Sequence, residues 1–295
     1  MVQDVARSRA ADLISEDVLV HVPGYADGGM TALAARLYGG NVNTSYRVDT
    51  GAGRFVVRLH NDLAETLGAD HEREAQLHAA AAAAGLAPAL VFVDPEHRFM
   101  VMEYVAGEVW SVQDMVRPER LVQLGAALSV LHTVVPPIVS PYDIPAVLDV
   151  HYRRLSAVSP EERPWFDQLM ERAGEAFEAS GSHQRPKVLI HNDLYHANLI
   201  GKDRLFLLDW EYAAVADPLF DLATLLAHYP QAVPLGETLL EAARLSDSAS
   251  PQMLRHATWL YVLVGYFWYR TRRLGGLQVS AANQAAEQAL RKRLG

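Results

Sequence analysis

Cysteine is absent from this sequence, and its absence excludes several kinds of chemistry. None of the 295 residues is a cysteine, so disulfide bonds, thiolate metal ligands and a cysteine nucleophile are ruled out. Long apolar runs are absent as well, because the run from Trp259 to Tyr269 has only eleven residues, about half of what crosses a bilayer. The first residues lack the apolar core of a signal peptide. We therefore expect a cytoplasmic protein that does not enter a membrane.

Basic residues are also scarce. The chain has 26 Lys and Arg against 35 Asp and Glu, a formal charge of -9. This balance offers no basic surface for nucleic acid or anionic lipid, and it favours a small, cationic partner. Half of the residues are hydrophobic and 21% are charged, which is typical of a folded globular protein. The sequence does not determine the oligomeric state.

The first hundred residues predict mostly β-structure. Alternating apolar residues on both sides of the turn at 49–53 predict one hairpin, and the apolar runs 90–93 and 99–102 predict a second. Between them, the segment from Ala69 to Gly85 includes six successive alanines, and it predicts a helix that ends at Gly85.

Helical patterns dominate after Gly107. They recur over residues 120–132, 164–179, 218–228, 236–245, 252–273 and 281–294. Two short apolar strands interrupt them, at 187–190 and 205–208, with a polar loop between. The chain is therefore predicted to be α+β, with its strands concentrated near the N-terminus.

The polar loop carries the residues that point to chemistry. Asp193 follows the first short strand, Asn198 comes five residues later, and Asp209 ends the second strand, which we expect to return as a hairpin. We predict that the three side chains converge. Phosphoryl transfer requires a carboxylate that orients the acceptor hydroxyl and takes its proton, and hard oxygen ligands for Mg²⁺. The alternative is that Asp193 and Asn198 only tie the loop to its own backbone.

The run HNDLYHANLI followed by LLDWEYAAVADPLFDLA resembles the aminoglycoside phosphotransferase and choline kinase superfamily, the small-molecule relatives of protein kinases. The resemblance implies a bilobal protein kinase-like fold. It places an N-terminal nucleotide-binding lobe over residues 1–103, a hinge at 104–107 and a helical C-terminal lobe over 108–295. It also implies that Asp193 is the catalytic base and that Asn198 and Asp209 bind Mg²⁺.

The resemblance extends from about residue 38 to about residue 229, most closely to the choline, ethanolamine and thiamine kinase branch. It implies that Arg58 holds the phosphates of ATP or GTP and that a helix carboxylate, Glu74 rather than Glu72, orients Arg58. The other residues assigned to the nucleotide are Gly39, Gly40, Asn43, Thr44, Met102, Glu103, Tyr104 and Val105. The glycine pair also fits a plain turn, and the last four also fit a strand leaving a sheet.

Four residues are assigned to the acceptor on the same resemblance: Glu211, Tyr212, Trp259 and Trp268. Cation–π contact with aromatic rings would hold an ammonium group. Two alternatives stay open, that the aromatic helix is plain core and that Glu211 joins the metal site. Eukaryotic choline kinases have an Asn and then an acidic residue after the matching Phe-Asp pair. In this chain Phe220-Asp221 is followed by Thr224 and His228 instead. We expect Asp221 to brace the catalytic loop.

The twelve histidines show no zinc-binding motif, and we expect His71 and His78 to be surface or loop residues. The leading hypothesis is a kinase that phosphorylates a hydroxyl on a small, cationic metabolite. The runner-up is a resistance kinase that modifies an aminoglycoside or another antibiotic. A nucleotide-binding pseudokinase or scaffold is the alternative that is not an enzyme.

Overall fold

The computed structural model describes residues 8–26, 32–37, 43–61, 70–137, 142–274 and 281–295. The predicted nucleotide-loop residues Gly39 and Gly40 lie outside these ranges. The chain divides into two units. The first comprises Met1–Ser111, Val134–Ile138 and His196–Ala213, and the second comprises Val112–Thr133, Val139–Tyr195 and Ala214–Gly295.

The first unit contains a six-stranded antiparallel sheet with the strand order β1-β2-β3-β4-β6-β5. Its strands are β1 (Ser8–Arg9), β2 (Leu33–Leu37), β3 (Thr44–Thr50), β4 (Gly53–Leu59), β5 (Leu90–Val93) and β6 (Phe99–Glu103). Both predicted hairpins are confirmed. β3 pairs with β4 around the turn at Gly51, and β5 pairs with β6.

Alternation along the strands sends one face of this sheet into a core. Phe55 and Val57 of β4 and Phe99 and Val101 of β6 are buried together, and Val57 pairs directly with Val101. The short helix α1 (Glu16–Leu19) covers that face with Leu19, which is fully buried. Side chains two apart on a strand share a face, so this periodicity decides which residues are buried.

The predicted alanine-rich helix is confirmed as α2 (His71–Ala83). Asp70 caps it by accepting from the backbone N–H of Arg73 over 2.9 Å. The chain leaves the helix through Gly85, whose φ of 76° suits glycine. The expectation that His71 and His78 lie on the surface was wrong, because both face the interior and are 7% and 3% exposed. Their seven-residue spacing places them on the buried side of the helix.

Two further antiparallel strand pairs replace the predicted pairing around the polar loop. β7 (Val188–Ile190) pairs with β10 (Ala214–Ala216), and β8 (Leu199–Ile200) pairs with β9 (Phe206–Leu207). The strand before Asp193 and the strand before Asp209 therefore have different partners, and the predicted direct return between them was wrong. β8 has two residues, too few for an alternation signal in the sequence.

The second unit contains most of the helices. They are α3 (Pro118–Leu131), α4 (Ile144–Val158), α5 (Arg163–Ser180), α6 (Leu219–His228), α7 (Gly236–Ala242), α8 (Pro251–Leu274) and α9 (Ala281–Leu294). All were predicted except α4. Helix α8 packs against α4, α5, α6 and α9, which explains why its sequence is apolar on several sides. Among the described residues, no helix is both long and apolar enough to span a bilayer.

Candidate active site

The β8–β9 hairpin brings Asn198 and Asp209 to the same end of one ladder. Leu199 pairs with Leu207, and the N–H of Leu208 donates to the carbonyl of Asn198 over 2.8 Å. Asn198 thus accepts the last backbone hydrogen bond of the hairpin, and Asp209 directly follows the residue that donates it. In an antiparallel ladder, residues that precede one strand and follow the other lie side by side.

Two contacts hold this hairpin within the first unit. The N–H of Leu207 donates to the carbonyl of Leu86 over 2.7 Å, and the N–H of Trp110 donates to the carbonyl of Leu199 over 2.9 Å. Trp210, directly after Asp209, is fully buried, and its indole N–H donates to the carbonyl of Leu207 over 3.0 Å. The Asp209 backbone is therefore anchored on both sides.

Asp209 has a left-handed backbone, with a φ of 66°. Such a conformation is uncommon outside glycine, although Asp and Asn tolerate it better than other residues. The turn places the carboxylate 2.7 Å from Arg58 while Trp210 remains inside. Strained backbone of this kind often marks a functional position.

Arg58 on β4 is the centre of a charged cluster, which we call the Arg58 cluster. Its Nη2 lies 2.7 Å from Oδ1 of Asp209, 3.3 Å from Oε2 of Glu211 and 3.4 Å from Oε1 of Glu74. The guanidinium is 10% exposed. Its Nε is buried and has no hydrogen-bond partner among the described residues. The Arg58 side chain therefore connects strand β4 with helix α2 and with the residues that follow the β8–β9 hairpin.

The charges in the Arg58 cluster stabilise one another. Burial is the largest effect on Arg58 and favours its neutral form, but Asp209, Glu74 and Glu211 outweigh it and raise the pKa of the guanidinium. Burial likewise opposes ionisation of Glu74, yet Arg58 and His71 lower the pKa of Glu74 to about 2. One cation and three carboxylates leave a formal charge of -2, which favours a divalent cation nearby.

Burial distinguishes the two glutamates that begin α2. Glu74 is 2% exposed and faces Arg58, whereas Glu72 is exposed and accepts from Gln76 on the helix surface. The two residues are two positions apart, which turns their side chains by about 200° around the helix axis. The structure therefore brings Glu74 to Arg58, as the resemblance implied.

Glu211 lies in the Arg58 cluster and is held there by Asn43. The amide of Asn43 donates to Oε2 of Glu211 over 3.0 Å, and its Oδ1 accepts from the backbone N–H of Asn61. Asn43 is 6% exposed, and Thr44 begins β3 directly after it. This placement favours the alternative that Glu211 joins the metal site over the prediction that Glu211 binds the acceptor.

The predicted hinge leaves the sheet at the end of β6. Met102 is 8% exposed, and the backbone N–H of Glu103 donates to Ala89. The N–H of Tyr104 donates to the carbonyl of Arg54, and the Tyr104 ring lies 5.0 Å from the guanidinium of Arg47. Val105 follows, half-buried. The backbone N–H groups of Glu103 and Tyr104 are thus already paired.

In the second unit, Asp221 braces the loop that precedes Asp193. Its two carboxylate oxygens accept from the backbone N–H groups of Asn192 over 2.8 Å and His191 over 3.3 Å, and Nε2 of His132 lies 3.0 Å away. Asp221 is fully buried at the start of α6. The bracing role expected for it is therefore confirmed.

A second contact fixes the same loop from α8. Asn192 has a φ of 64°, and its side-chain oxygen accepts from the hydroxyl of Tyr261. Asp193 follows with its side chain 25% exposed. A rigid backbone with a partly exposed carboxylate is what a base requires when it must meet a hydroxyl from solvent.

The surroundings of Asp193 contain residues that the sequence analysis did not single out. Nε2 of His228 lies 3.7 Å from Oδ1 of Asp193. The ring of His228 contacts Tyr195 at 5.7 Å and Tyr229 at 6.2 Å between centroids. Burial, then the charge of Asp193, raises the pKa of Tyr269. These rings come from a loop and the ends of two helices, so no single motif predicts them.

The two tryptophans of α8 differ in placement. Trp268 is seven positions after Tyr261, and therefore on the same face of the helix. Its ring contacts Tyr269 at 4.9 Å, and the guanidinium of Arg272 covers it at 4.5 Å. Trp259 faces α5 instead, with Arg172 4.4 Å from its ring. The structure does not bring Trp259 to the Asp193 loop, whereas Tyr212 is half-buried in the first unit.

Comparison with known proteins identifies a family and relatives for this chain. The sequence pattern of the phosphotransferase enzyme family matches residues 34–255. Protein LicA of Haemophilus influenzae is 46% identical over 52 residues, which are 17% of this chain and 20% of LicA. The match thus spans about a fifth of that relative's length.

Two solved structures resemble the chain over most of its length. A choline/ethanolamine kinase family protein from Mesorhizobium loti has a TM-score of 0.78 and 23% identity, covering 94% of this chain and 91% of that one. Choline kinase LicA from Streptococcus pneumoniae has a TM-score of 0.73 and 18% identity, covering 88% of this chain and 92% of that one. At such identities the likeness concerns the fold, and the predicted α+β, kinase-like fold is confirmed.

Proposed function

This chain belongs to the phosphotransferase enzyme family, and we propose that it transfers the γ-phosphoryl group of ATP or GTP to a hydroxyl of a small, cationic metabolite in the cytoplasm. The observation that carries the proposal is the Arg58 cluster. A buried guanidinium with three carboxylates is an arrangement for holding phosphate and a divalent metal together.

The nucleotide would bind within the first unit. Arg58 would hold the α- and β-phosphates, and Glu74 would fix its orientation from α2. Arg58 suits this task because its donors are buried and one of them, Nε, has no partner among the described residues. Residues Gly39, Gly40, Asn43 and Thr44 would close over the phosphates, and the backbone from Met102 to Val105 would border the base.

Asn198 and Asp209 would hold Mg²⁺. The fit rests on the donor set, since one amide and one carboxylate oxygen lie at the same end of the β8–β9 hairpin, and on the net charge of the Arg58 cluster. Mg²⁺ prefers such hard oxygen ligands. When bound, the ion would neutralise charge on the phosphates during transfer.

Asp193 would orient the acceptor hydroxyl and take its proton. Its carboxylate is partly exposed on a loop that Asp221 and Tyr261 hold in place. Tyr195 and His228 present half-exposed rings beside it, and aromatic faces next to a carboxylate favour an acceptor with an ammonium group. Two structural relatives, a choline/ethanolamine kinase family protein and a choline kinase, support such an acceptor.

Turnover with a panel of acceptors tests the proposal. Purified protein is incubated with Mg²⁺, ATP or GTP, and separately choline, ethanolamine, thiamine, an aminoglycoside and a macrolide, and release of ADP or GDP is measured. We expect turnover with a hydroxylated amine and its loss in Asp193→Asn, whereas Asp203→Asn, on the exposed turn of the same region, retains it. Turnover with the antibiotics alone would favour the resistance kinase.

A binding measurement distinguishes the scaffold alternative. We expect ATP to raise the melting temperature, and Mg²⁺ to increase that shift, because the metal joins nucleotide and protein. A shift that is the same with and without Mg²⁺, together with no turnover on any acceptor, would contradict the kinase and favour a pseudokinase.

A further inference from the structure

A second group of potential metal ligands lies behind the Arg58 cluster, inside the first unit. It consists of His60, directly after β4, and His71 and Glu74 in the first turn of α2. Nδ1 of His71 is 3.4 Å from Oε2 of Glu74, and Nε2 of His60 is 3.8 Å from the same oxygen. The potential ligand atoms all lie within 4.8 Å of one another. The side chains are 3%, 6% and 1% exposed.

His60 aims an unpaired nitrogen at a carboxylate. Its Nδ1 lies 2.6 Å from the carbonyl oxygen of His97, and because a carbonyl only accepts, Nδ1 carries the proton. Nε2 then presents a lone pair toward Glu74, and it is buried without a hydrogen-bond partner among the described residues. Two acceptors that face each other in a buried site are unfavourable unless a cation lies between them.

The contacts made by His60 and Glu74 resemble those of metal ligands. The carbonyl of His97 on the far nitrogen of His60 fixes the ring and its tautomer, as the outer partners of metal-binding histidines do. Glu74 divides its two oxygens, since Oε1 faces Arg58 and Oε2 faces both imidazoles. An ion on Oε2 would therefore leave the contact with Arg58 intact.

The type and spacing of the ligand atoms indicate the ion. Two imidazole nitrogens and one carboxylate oxygen are typical of zinc, whereas Mg²⁺ takes oxygen ligands. Ligands about 2.0–2.1 Å from a tetrahedral zinc lie about 3.4 Å from one another, and Nε2 of His60 already lies 3.8 Å from Oε2 of Glu74.

We propose that His60, His71 and Glu74 bind a zinc ion through Nε2, Nδ1 and Oε2. The rings of His60 and His71 are stacked at 3.9 Å and only 7° from parallel, and a metal lies near the plane of each imidazole that binds it. Zinc binding therefore requires one of the two rings to turn. The ring of His60 is held in place by the carbonyl of His97. His71 turns, giving up its contact with Glu74 for the metal.

One residue of the buried site borders a cavity. His60 contributes to the wall of a cavity of about 270 Å³ that is otherwise lined by Thr44, Tyr46, Leu59 and Asn61. Three protein ligands leave the fourth tetrahedral position for water or another small ligand. The zinc site shares Glu74 with the nucleotide site proposed above, and it can be tested without acceptor or nucleotide.

Zinc titration against a chromogenic chelator tests the proposal on the full-length protein without nucleotide. We expect one zinc equivalent to bind more tightly than the background from the other histidines. His71→Asn and His60→Gln should each weaken that site by roughly tenfold or more. His183→Gln is the matched control, because His183 forms an exposed pair with Glu178 at 3.7 Å, and it should leave the affinity unchanged.

Cobalt absorption gives a second readout that does not depend on activity. Co²⁺ in a tetrahedral site absorbs visible light far more strongly than octahedral Co²⁺ on a surface, and geometry identifies the site. We expect the strong spectrum in the wild type and in His183→Gln, and its loss in His71→Asn, with circular dichroism confirming that each variant is folded. Equal affinity in all variants, or only the weak octahedral spectrum in the wild type, would overturn the proposal.

Discussion

Arg58 and Asp209 are separated by 151 positions in the sequence, yet Nη2 of Arg58 donates to Oδ1 of Asp209 over 2.7 Å. The contact joins the strand expected to hold phosphate with the hairpin expected to hold Mg²⁺. Carboxylate oxygens are among the ligands that Mg²⁺ prefers.

Removal of the Asp209 carboxylate should abolish turnover that depends on Mg²⁺ and nucleotide. Asp209→Ala deletes a ligand that we propose for Mg²⁺. We therefore expect kcat to fall by at least about a hundredfold, as is typical when one group that stabilises the transition-state charge is removed. Asp203→Asn, on the exposed turn of the same hairpin, should retain turnover. Activity near the wild-type rate in Asp209→Ala would refute the assignment.

Arg58 and Glu74 should be coupled in stability. Arg58→Met leaves Glu74 buried without its cation, and Glu74→Met leaves Arg58 with fewer anions, so each single change should destabilise the fold by about 3 kcal/mol. The double variant should lose less than the sum, because neither charge is left unpaired. Urea unfolding of the four proteins measures the coupling, and purely additive effects would argue against a functional ion pair.

His228 should affect the acceptor more than the nucleotide. It lies 3.7 Å from Asp193 and is half-exposed beside Tyr195, so His228→Ala should raise the KM for the acceptor roughly tenfold while the KM for ATP changes little. Steady-state kinetics with each substrate varied in turn separates the two values. An equal rise in both would indicate a general loss of structure instead.

His151 should make the protein less stable in acid. It lies in α4, with Nδ1 2.9 Å from the hydroxyl of Thr271, and burial, helped by Arg154, lowers its pKa to about 4. The unfolded chain takes up this proton near pH 6.5, whereas the folded chain does so only near pH 4. The contribution to stability is thus complete above about pH 6.5 and is lost as the pH falls toward 4.

The measurement compares wild type with His151→Gln. Between about pH 7.5 and pH 5, the free energy of unfolding of the wild type should fall by about 1–2 kcal/mol more than that of the variant. His183→Gln, at an exposed position, should keep the wild-type slope. Identical slopes in His151→Gln and wild type would show that the pKa of His151 is the same in the folded and the unfolded protein, which would contradict the prediction.

Local patterns predicted most elements of the fold. The alternation in β3 and β4 and the alanine run of α2 each lie within one segment, where neighbouring residues decide the conformation. Helices α1 and α4 and strands β1, β2, β8 and β10 were missed. β8 is too short for a period of its own, and it is defined by its partner β9.

The candidate site was predicted in part. The residues of the polar loop follow from their spacing and their resemblance to known kinases, but Tyr195, His228 and Tyr229 do not. They meet only because the Asp193 loop and the end of α6 come together in the second unit. Trp259 and Trp268 share one apolar run, and only the packing of α8 separates them.

By itself, the sequence determined most of the segments that become strands and helices and which carboxylates and amides are available for chemistry, because both depend on residue type and close spacing. Only the tertiary structure decided that Glu211 is held by Asn43 and that His71 faces inward toward His60. These contacts join distant segments, and they form when the sheet and α2 bury their apolar faces together, which no local pattern records.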